Sequence, residues 1–425
     1  MATAIKDARA KSPNVVTIDA GDSLVSADAR RRGSLSAQIV KKAELMADFL
    51  RIVRPEAVAL GDLDLIAGPA AATALLESRG ITPIATNVKF ADPSAKTVPY
   101  IAWDVAGYRF VAVNLFSPKA AAGIEGATVT DPLAALSAAL ATAGKVDVLL
   151  ACCHRFDNLL MKRFAELSGP PRIAIDAEGG TNVRTGSSVT PTVFAKPPAR
   201  GTDLLTAELY LKRGAPYWYR MDRYEGLVRT GGPLAEEAAA AAECSLVDFT
   251  SKRLSSSVIS DPELQAKIEE YKKSTRMSVE GWRVVAPEDP NAAKYVGASA
   301  CGACHAEQLA NWKSTVHAHA WESLVTDPDG GAQDPECVSC HVSGYLQPGG
   351  TRRIEDTGPF HGVQCESCHV PVAKHPGATK YGKISDGLCR TCHSETRDPD
   401  FAFATYLKFA TCTKLHDPAA NRVPR

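Results

Sequence analysis

Four pentapeptides of one form lie in the last third of the chain: CGACH at 301–305, CVSCH at 337–341, CESCH at 365–369 and CRTCH at 389–393. Two thiols at this spacing can add to the two vinyl groups of one porphyrin, and the adjoining imidazole can reach the iron. Each pentapeptide therefore reads as a haem c attachment site. The thioether donors are Cys301 and Cys304, Cys337 and Cys340, Cys365 and Cys368, and Cys389 and Cys392; the proximal iron ligands are His305, His341, His369 and His393. The competing chemistry is zinc held by paired thiolates. Zinc needs no histidine after each pair. With 10 histidines in 425 residues, a histidine after all four pairs by chance has a probability below about one in a million. Four covalent haems are expected.

The sixth ligands are constrained by what the segment lacks. The methionines stand at positions 1, 46, 161, 221 and 277, all outside it, so thioether ligation, which raises haem potentials, is disfavoured. Five further histidines are available: His317, His319, His361, His375 and His416. Bis-histidine, low-potential haems are the natural reading. A helix over 305–321 would place His317 roughly 18 Å along its axis from His305, so His317 must serve another haem. His319 faces a different side of that helix, and His317 is the favoured ligand of the two. For His361, an iron ligand and a surface or propionate-contacting residue stay open as alternatives. CTKLH at 412–416 lacks the second cysteine; His416 reads as a distal ligand with Cys412 unrelated to haem, in preference to a singly attached fifth haem.

The elements around these residues fall into three stretches. Residues 295–425 give four haems only about 130 residues of protein, too little for a large side-chain core. The porphyrins must then form much of the buried apolar surface, the domain should not fold without them, and their crowding suits electron hopping. It is expected to be mainly helical and loop-rich. From Val15 to about Leu227, β-rich runs such as VVTIDA, AVAL, PIATNV, VDVLLACC and RIAIDA alternate with helical stretches, as over 131–145. Hairpin-like pairs, YIAWDVAGYRFVAVNLF with an Ala106-Gly107 turn and LLTAELYLKR with PYWYRMDRYEGL, add antiparallel strands, so residues 1–230 read as an α/β sandwich with mixed sheets. Residues 231–294 read as a helical connector, with Asp261 as cap, Pro262 in the first turn, and Leu264, Ile268 and Tyr271 on one face.

Composition excludes other classes. No apolar run approaches the ~18 residues of a membrane span, and 48 basic residues against 48 acidic ones leave no long-range field to gather nucleic acid or anionic lipid. MATAIKDARAKSPN lacks the apolar core of an export signal and reads as an amphipathic helix entering a strand. Haem c is attached outside the bacterial cytoplasm, so a periplasmic or extracellular location is expected, with the export signal upstream. Cys152, Cys153 and Cys244 receive no role.

The runs YVGASACGACHAEQLANWKSTVHAHAWESL, CVSCHVSGY, GVQCESCHVPVAKH and CRTCHS resemble the tetrahaem cytochrome c family that includes the electron acceptor of hydroxylamine oxidoreductase. The resemblance covers residues 295–416. It implies that His317, His375 and His416 are distal ligands and that one iron, the second haem's at His341, lacks a protein sixth ligand.

At the other end, VVTIDAGDSL carries an esterase-like Gly-Asp-Ser-Leu with Ser23 as nucleophile, but the Asp-x-x-His pair that would activate it occurs nowhere. DAGDSL, EAVALGDLDLIAG, the NV near residue 88 and VDVLLACCH instead resemble the dinuclear metallophosphatases of the 5'-nucleotidase type. By that resemblance Asp22 matches a bridging aspartate and His154 a metal histidine. Gly61-Asp62-Leu63-Asp64 stands in place of Gly-Asn-His-Asp, and DAEGGTN in place of the late Gly-His-x-His. The expectation is a metal-free, inactive phosphatase-like domain serving as a docking or packing platform. For the whole chain, an electron carrier between redox partner proteins leads. An oxidoreductase acting on a small nitrogen or oxygen species at an open iron comes second, and a haem filament subunit third.

Overall fold

The computed structural model describes residues 1–25, 37–120, 124–177, 189–197, 201, 203–220, 242–255, 258–277, 293–327, 331–347, 349–351, 353–371, 384–394, 397–398 and 400–413. The chain forms two compact units, Met1–Leu35 with Ile39–Ile268, and Ser36–Gln38 with Glu269–Arg425.

The strands of the first unit are β1 (Ile18–Asp19), β2 (Ala57–Val58), β3 (Val88–Phe90), β4 (Ile101–Val105), β5 (Tyr108–Phe116), β6 (Ala127–Val129) and β7 (Val148–His154). They continue with β8 (Arg172–Asp176), β9 (Val189–Thr190), β10 (Thr192–Ala195), β11 (Asp203–Tyr210), β12 (Trp218–Arg220) and β13 (Ser245–Arg253). A five-stranded sheet has the order β10-β8-β7-β5-β4, parallel except for the β4–β5 hairpin. Its two-residue turn puts Ala106 and Gly107 at φ 50° and 79°, the positive angles such a hairpin requires.

Period-two alternation builds the layers. Phe110 and Ala112 of β5 pack on one face with Trp218 and Val247. Val111, Val113 and Leu115 pack on the other with Leu133 and Leu136 of the helix Pro132–Ala143. That helix is capped by Asp131, whose carboxylate accepts from Leu133 N and Ala134 N at 3.0 and 2.8 Å. The mixed α/β architecture expected from the sequence is present.

Two expectations are corrected. β11 and β12 do not pair with each other: β13 lies between them, antiparallel to β11 and parallel to β12, in a sheet ordered β11-β13-β12-β9. Nor are residues 231–294 helical throughout, since β13 falls inside that span. Its SLVDFT alternates buried Val247 with half-buried Leu246 and Asp248, a strand period that the neighbouring alanine-rich run obscures. The helix Pro262–Met277 does form, with Asp261 Oδ1 accepting from Leu264 N at 3.1 Å.

The second unit is short helices and turns. Its described apolar cluster is small: Leu324, Val338, Val342 and Tyr345, with Trp321, Leu346, Ile354 and Phe360 at its margin. Among the described residues no helix is long and apolar enough to cross a membrane.

Candidate haem sites and a carboxylate–histidine cluster

Each attachment motif sits on a helical turn. Cys301 ends Ala298–Cys301, the second motif lies in Pro335–His341, Cys365–Cys368 is a turn of its own, and Cys389 ends Asp386–Cys389. The second is started by Asp334, whose side chain accepts from Glu336 N at 2.8 Å, followed by Pro335, which is suited to the first helical position.

Motifs distant in sequence meet in space, first with third and second with fourth. The Cys365 thiol lies beside that of Cys301, and the Cys392 thiol beside that of Cys340. Burial first, then the neighbouring sulfur, pushes the Cys365 thiol up to about 12. Burial likewise raises Cys337 and Cys368 to about 11, so these sulfurs stand as neutral thiols.

The first and third motifs are tied by residues that carry no motif signal. Glu366, inside CESCH and 7% exposed, accepts from Val296 N and Gly297 N, both at 2.8 Å. Gln364 accepts from Ala298 N at 2.6 Å and donates to the carbonyls of Pro359 and His361 at 3.0 Å. Trp312 Nε1 donates to Val363 O at 2.8 Å. Gly362, at φ +89°, passes so close that a Cβ there would lie 2.7 Å from Ala318 O, which restricts the position to glycine.

The histidines divide by what their ring nitrogens meet. Nδ1 of His341 is 2.6 Å from Ala320 O, and Nδ1 of His393 is 2.8 Å from Asp398 Oδ2. A carbonyl and a carboxylate can only accept, so both Nδ1 atoms carry the proton and both Nε2 atoms keep the lone pair that a metal needs. His317 faces His393 with ring centroids 6.1 Å apart. Two imidazoles holding one metal ion from opposite sides at roughly 2 Å per bond would have that separation. Burial, then the His393 charge, lowers His317 to about 4, which keeps it neutral and competent as a ligand. His369 is also lowered, by burial and then by His305 beside it. This donor set fits haem iron.

His319 is turned elsewhere: Nε2 lies 3.1 Å from Lys313 O, and Nδ1 faces Glu322 at 3.5 Å. His361 stacks on Trp321 at 3.8 Å between centroids, and its Nε2 meets Thr357 Oγ1 at 3.2 Å. His375 and His416 lie outside the described residues. The continuous helix expected over 305–321 is interrupted. It divides into Ala306–Lys313 and Ala320–Val325, because Ser314 and Thr315 donate their hydroxyls to Asn311 O and Trp312 O at 2.6 and 2.7 Å and compete with the helical ladder. His317 sits in the turn so formed. Cys412 is held through its carbonyl, which accepts from Asn311 Nδ2 at 3.0 Å.

In the first unit, Asp22, Asp62 and His154 offer ligand atoms all within 4.8 Å of one another. Gly21 permits this: at φ +96°, a Cβ would stand 2.8 Å from Gly61 N and 2.9 Å from His154 Cε1. His154 is fully buried, stacks on Phe116 at 4.7 Å, and burial lowers it to about 4. Other parts of a two-metal set are committed elsewhere. Asp64 accepts from the backbone N–H groups of Asp22, Leu24 and Gly61 at 2.8–2.9 Å. The Leu63 side chain has no ligand atom and its N–H donates to Asp22 Oδ1 at 2.8 Å, and the Arg155 guanidinium stands 3.0 Å from Asp62. Among the described residues the donors suit one cation and do not make up a set for a metal pair. Ser23 donates to Asp19 Oδ2 at 2.6 Å and meets no histidine, so the esterase reading has no geometry behind it.

These two constellations lie in different units, the C-x-x-C-H motifs in the second and the carboxylate–histidine cluster in the mixed-sheet first. Residues 300–370 match the family described as "Cytochrome c554 and c-prime". Cytochrome c-554 of Nitrosomonas europaea is 41% identical over 71 residues, which are 14% of this chain and 30% of that protein. The chain thus spans under a third of that relative's length. Among solved structures, the first unit is similar to the 5'-nucleotidase precursor of Thermus thermophilus (TM-score 0.47, 14% identity, 66% of this chain and 53% of that one). It is similar too to the calcineurin-like phosphoesterase YfkN of Bacillus subtilis (TM-score 0.43, 14% identity, 64% and 87%).

Proposed function

We propose that the chain is an electron carrier working outside the cytoplasm, in which four covalently attached haems pass electrons between redox partner proteins. Each haem supplies one-electron chemistry when bound. The rest is done by the protein. Eight cysteines would anchor the macrocycles as thioethers, and the closeness of Cys301 to Cys365 and of Cys340 to Cys392 sets the first motif beside the third and the second beside the fourth. His341 and His393 are held by Nδ1 hydrogen bonds that leave Nε2 available, so these two imidazoles would bind iron, and His317, whose ring lies 6.1 Å from that of His393, would be the second protein ligand at the fourth site. Glu366 and Gln364 keep the first pair of motifs in register.

The observation that carries this reading is the four-fold C-x-x-C-H repeat gathered into spatial pairs. A pyridine haemochrome assay together with the intact mass of the exported protein tests it: four haems per chain are expected, and bound zinc or free thiols with no Soret band would sink it.

One observation favours a second reading. His319 and His361 both have their rings engaged by protein groups, and among the described residues no imidazole faces His341 as His317 faces His393. An open iron at the second site would bind a small nitrogen or oxygen ligand. A high-spin electron-spin resonance signal that changes with nitric oxide or cyanide is the expected mark of this chemistry. The first unit is assigned a packing or docking role without hydrolysis, since Arg155 already neutralises Asp62.

A further inference from the structure

His341 and His393, the two motif histidines with a described Nδ1 hydrogen bond, differ in what they donate to. His341 meets a neutral carbonyl, Ala320 O, whereas His393 meets a carboxylate, Asp398 Oδ2, at 2.8 Å. Asp398 is held there by its own turn, its N–H donating to Ser394 O at 2.7 Å and its carbonyl accepting from Phe401 N at 3.2 Å. Its other carboxylate oxygen accepts from the Tyr406 hydroxyl at 3.0 Å. The aromatic residues that follow brace the imidazole. Phe401 stacks on it at 4.8 Å, Tyr406 meets it edge-on at 5.5 Å, and Arg390 lies over the Phe401 ring at 5.2 Å. The C-x-x-C-H pattern specifies none of these residues.

We infer that Asp398 is a positioning residue that lowers the reduction potential of the fourth haem relative to its neighbours, and that Tyr406 limits how far. The inference rests on the haem reading given above. A carboxylate accepting the Nδ1–H draws that proton away from the ring and makes Nε2 more basic. A more basic ligand with a negative charge behind it favours Fe(III) over Fe(II). Reduction takes one electron from a reduced partner protein, converts Fe(III) to Fe(II), and makes or breaks no covalent bond. Asp398 changes only the position of that equilibrium. The Tyr406 hydroxyl, donating to the same carboxylate, withdraws part of its charge, so the two residues act in opposite directions.

Full-length holoprotein carrying Asp398→Asn or Tyr406→Phe, with four haems verified by mass, is titrated spectroelectrochemically against the wild type. Asp398→Asn keeps an acceptor but removes the charge. It is expected to move one of four one-electron waves to higher potential by about a tenfold change in the reduction equilibrium, which is about 59 mV for one electron. The other three waves stay in place. Tyr406→Phe is expected to move the same wave the other way by a smaller step. Four unchanged waves in Asp398→Asn, or a common shift of all four, overturns the inference. If Asp398→Asn fails to take up its full haem complement, Tyr406→Phe decides: a single downward wave supports the proposal, and an unchanged or upward one overturns it. A wild-type chain with no haem would instead overturn the parent reading, so the two failures are distinct.

Discussion

Among its described residues the first unit closes five apolar clusters from its own side chains, the larger ones with fully buried Leu115, Leu149 and Phe116, whereas the described part of the second closes one around Leu324, Val338, Val342 and Tyr345. What the second has instead is a set of polar ties and thiol contacts converging on its motifs. The first unit is organised by the hydrophobic effect acting on alternating strands; the second has a small described apolar cluster, and the haems proposed above would supply the buried apolar surface it lacks. One should fold without a cofactor and the other should not.

The largest effect that would break this contrast comes from denying haem. The full chain made without haem attachment is expected to lose the second unit to limited proteolysis while the first survives as a resistant fragment; equal resistance of both units would erase the distinction. Next in size, Leu149→Ala or Leu115→Ala in the first unit should cost about 2–5 kcal/mol in denaturant unfolding and leave the haem spectrum untouched. The matching test in the second unit is Glu366→Ala. Removal of two hydrogen bonds to a buried carboxylate, with Val296 N and Gly297 N left unpaired, should cost about 3 kcal/mol and broaden the Soret transition on heating. Asp334→Ala, which removes the cap of the helix bearing the second motif, should cost only about 1 kcal/mol. Smallest of all, manganese or zinc should elicit no hydrolysis of nucleotides or phosphate esters from the first unit. Turnover that disappears in His154→Ala would show that Asp22, Asp62 and His154 still work as a metal centre.

The C-x-x-C-H motifs were legible because their spacing is local, and β5 and β7 were legible because buried strands read as apolar runs, as in YRFVAVNLF and VLLACCH. β13 was not, since pairing between β11 and β12 is a long-range choice on which SLVDFTSKR is silent. Glu366, Gln364 and Asp398 were missed for a related reason: a polar residue in a polar stretch shows its role only once the partner is in place. The break after Lys313 did have a signal, the adjacent Ser314 and Thr315, whose hydroxyls compete with helical hydrogen bonds.

By itself the sequence determined the four C-x-x-C-H motifs on which the haem proposal rests and the lack of an Asp-x-x-His pair, because each depends on residues a few bonds apart. Tertiary structure alone decided which motifs become neighbours, that His317 faces His393, that Asp398 stands behind that imidazole and that Arg155 covers Asp62. Those are contacts between segments far apart in the chain or side by side only after a turn, and they are fixed by packing and hydrogen bonding that no local spacing encodes.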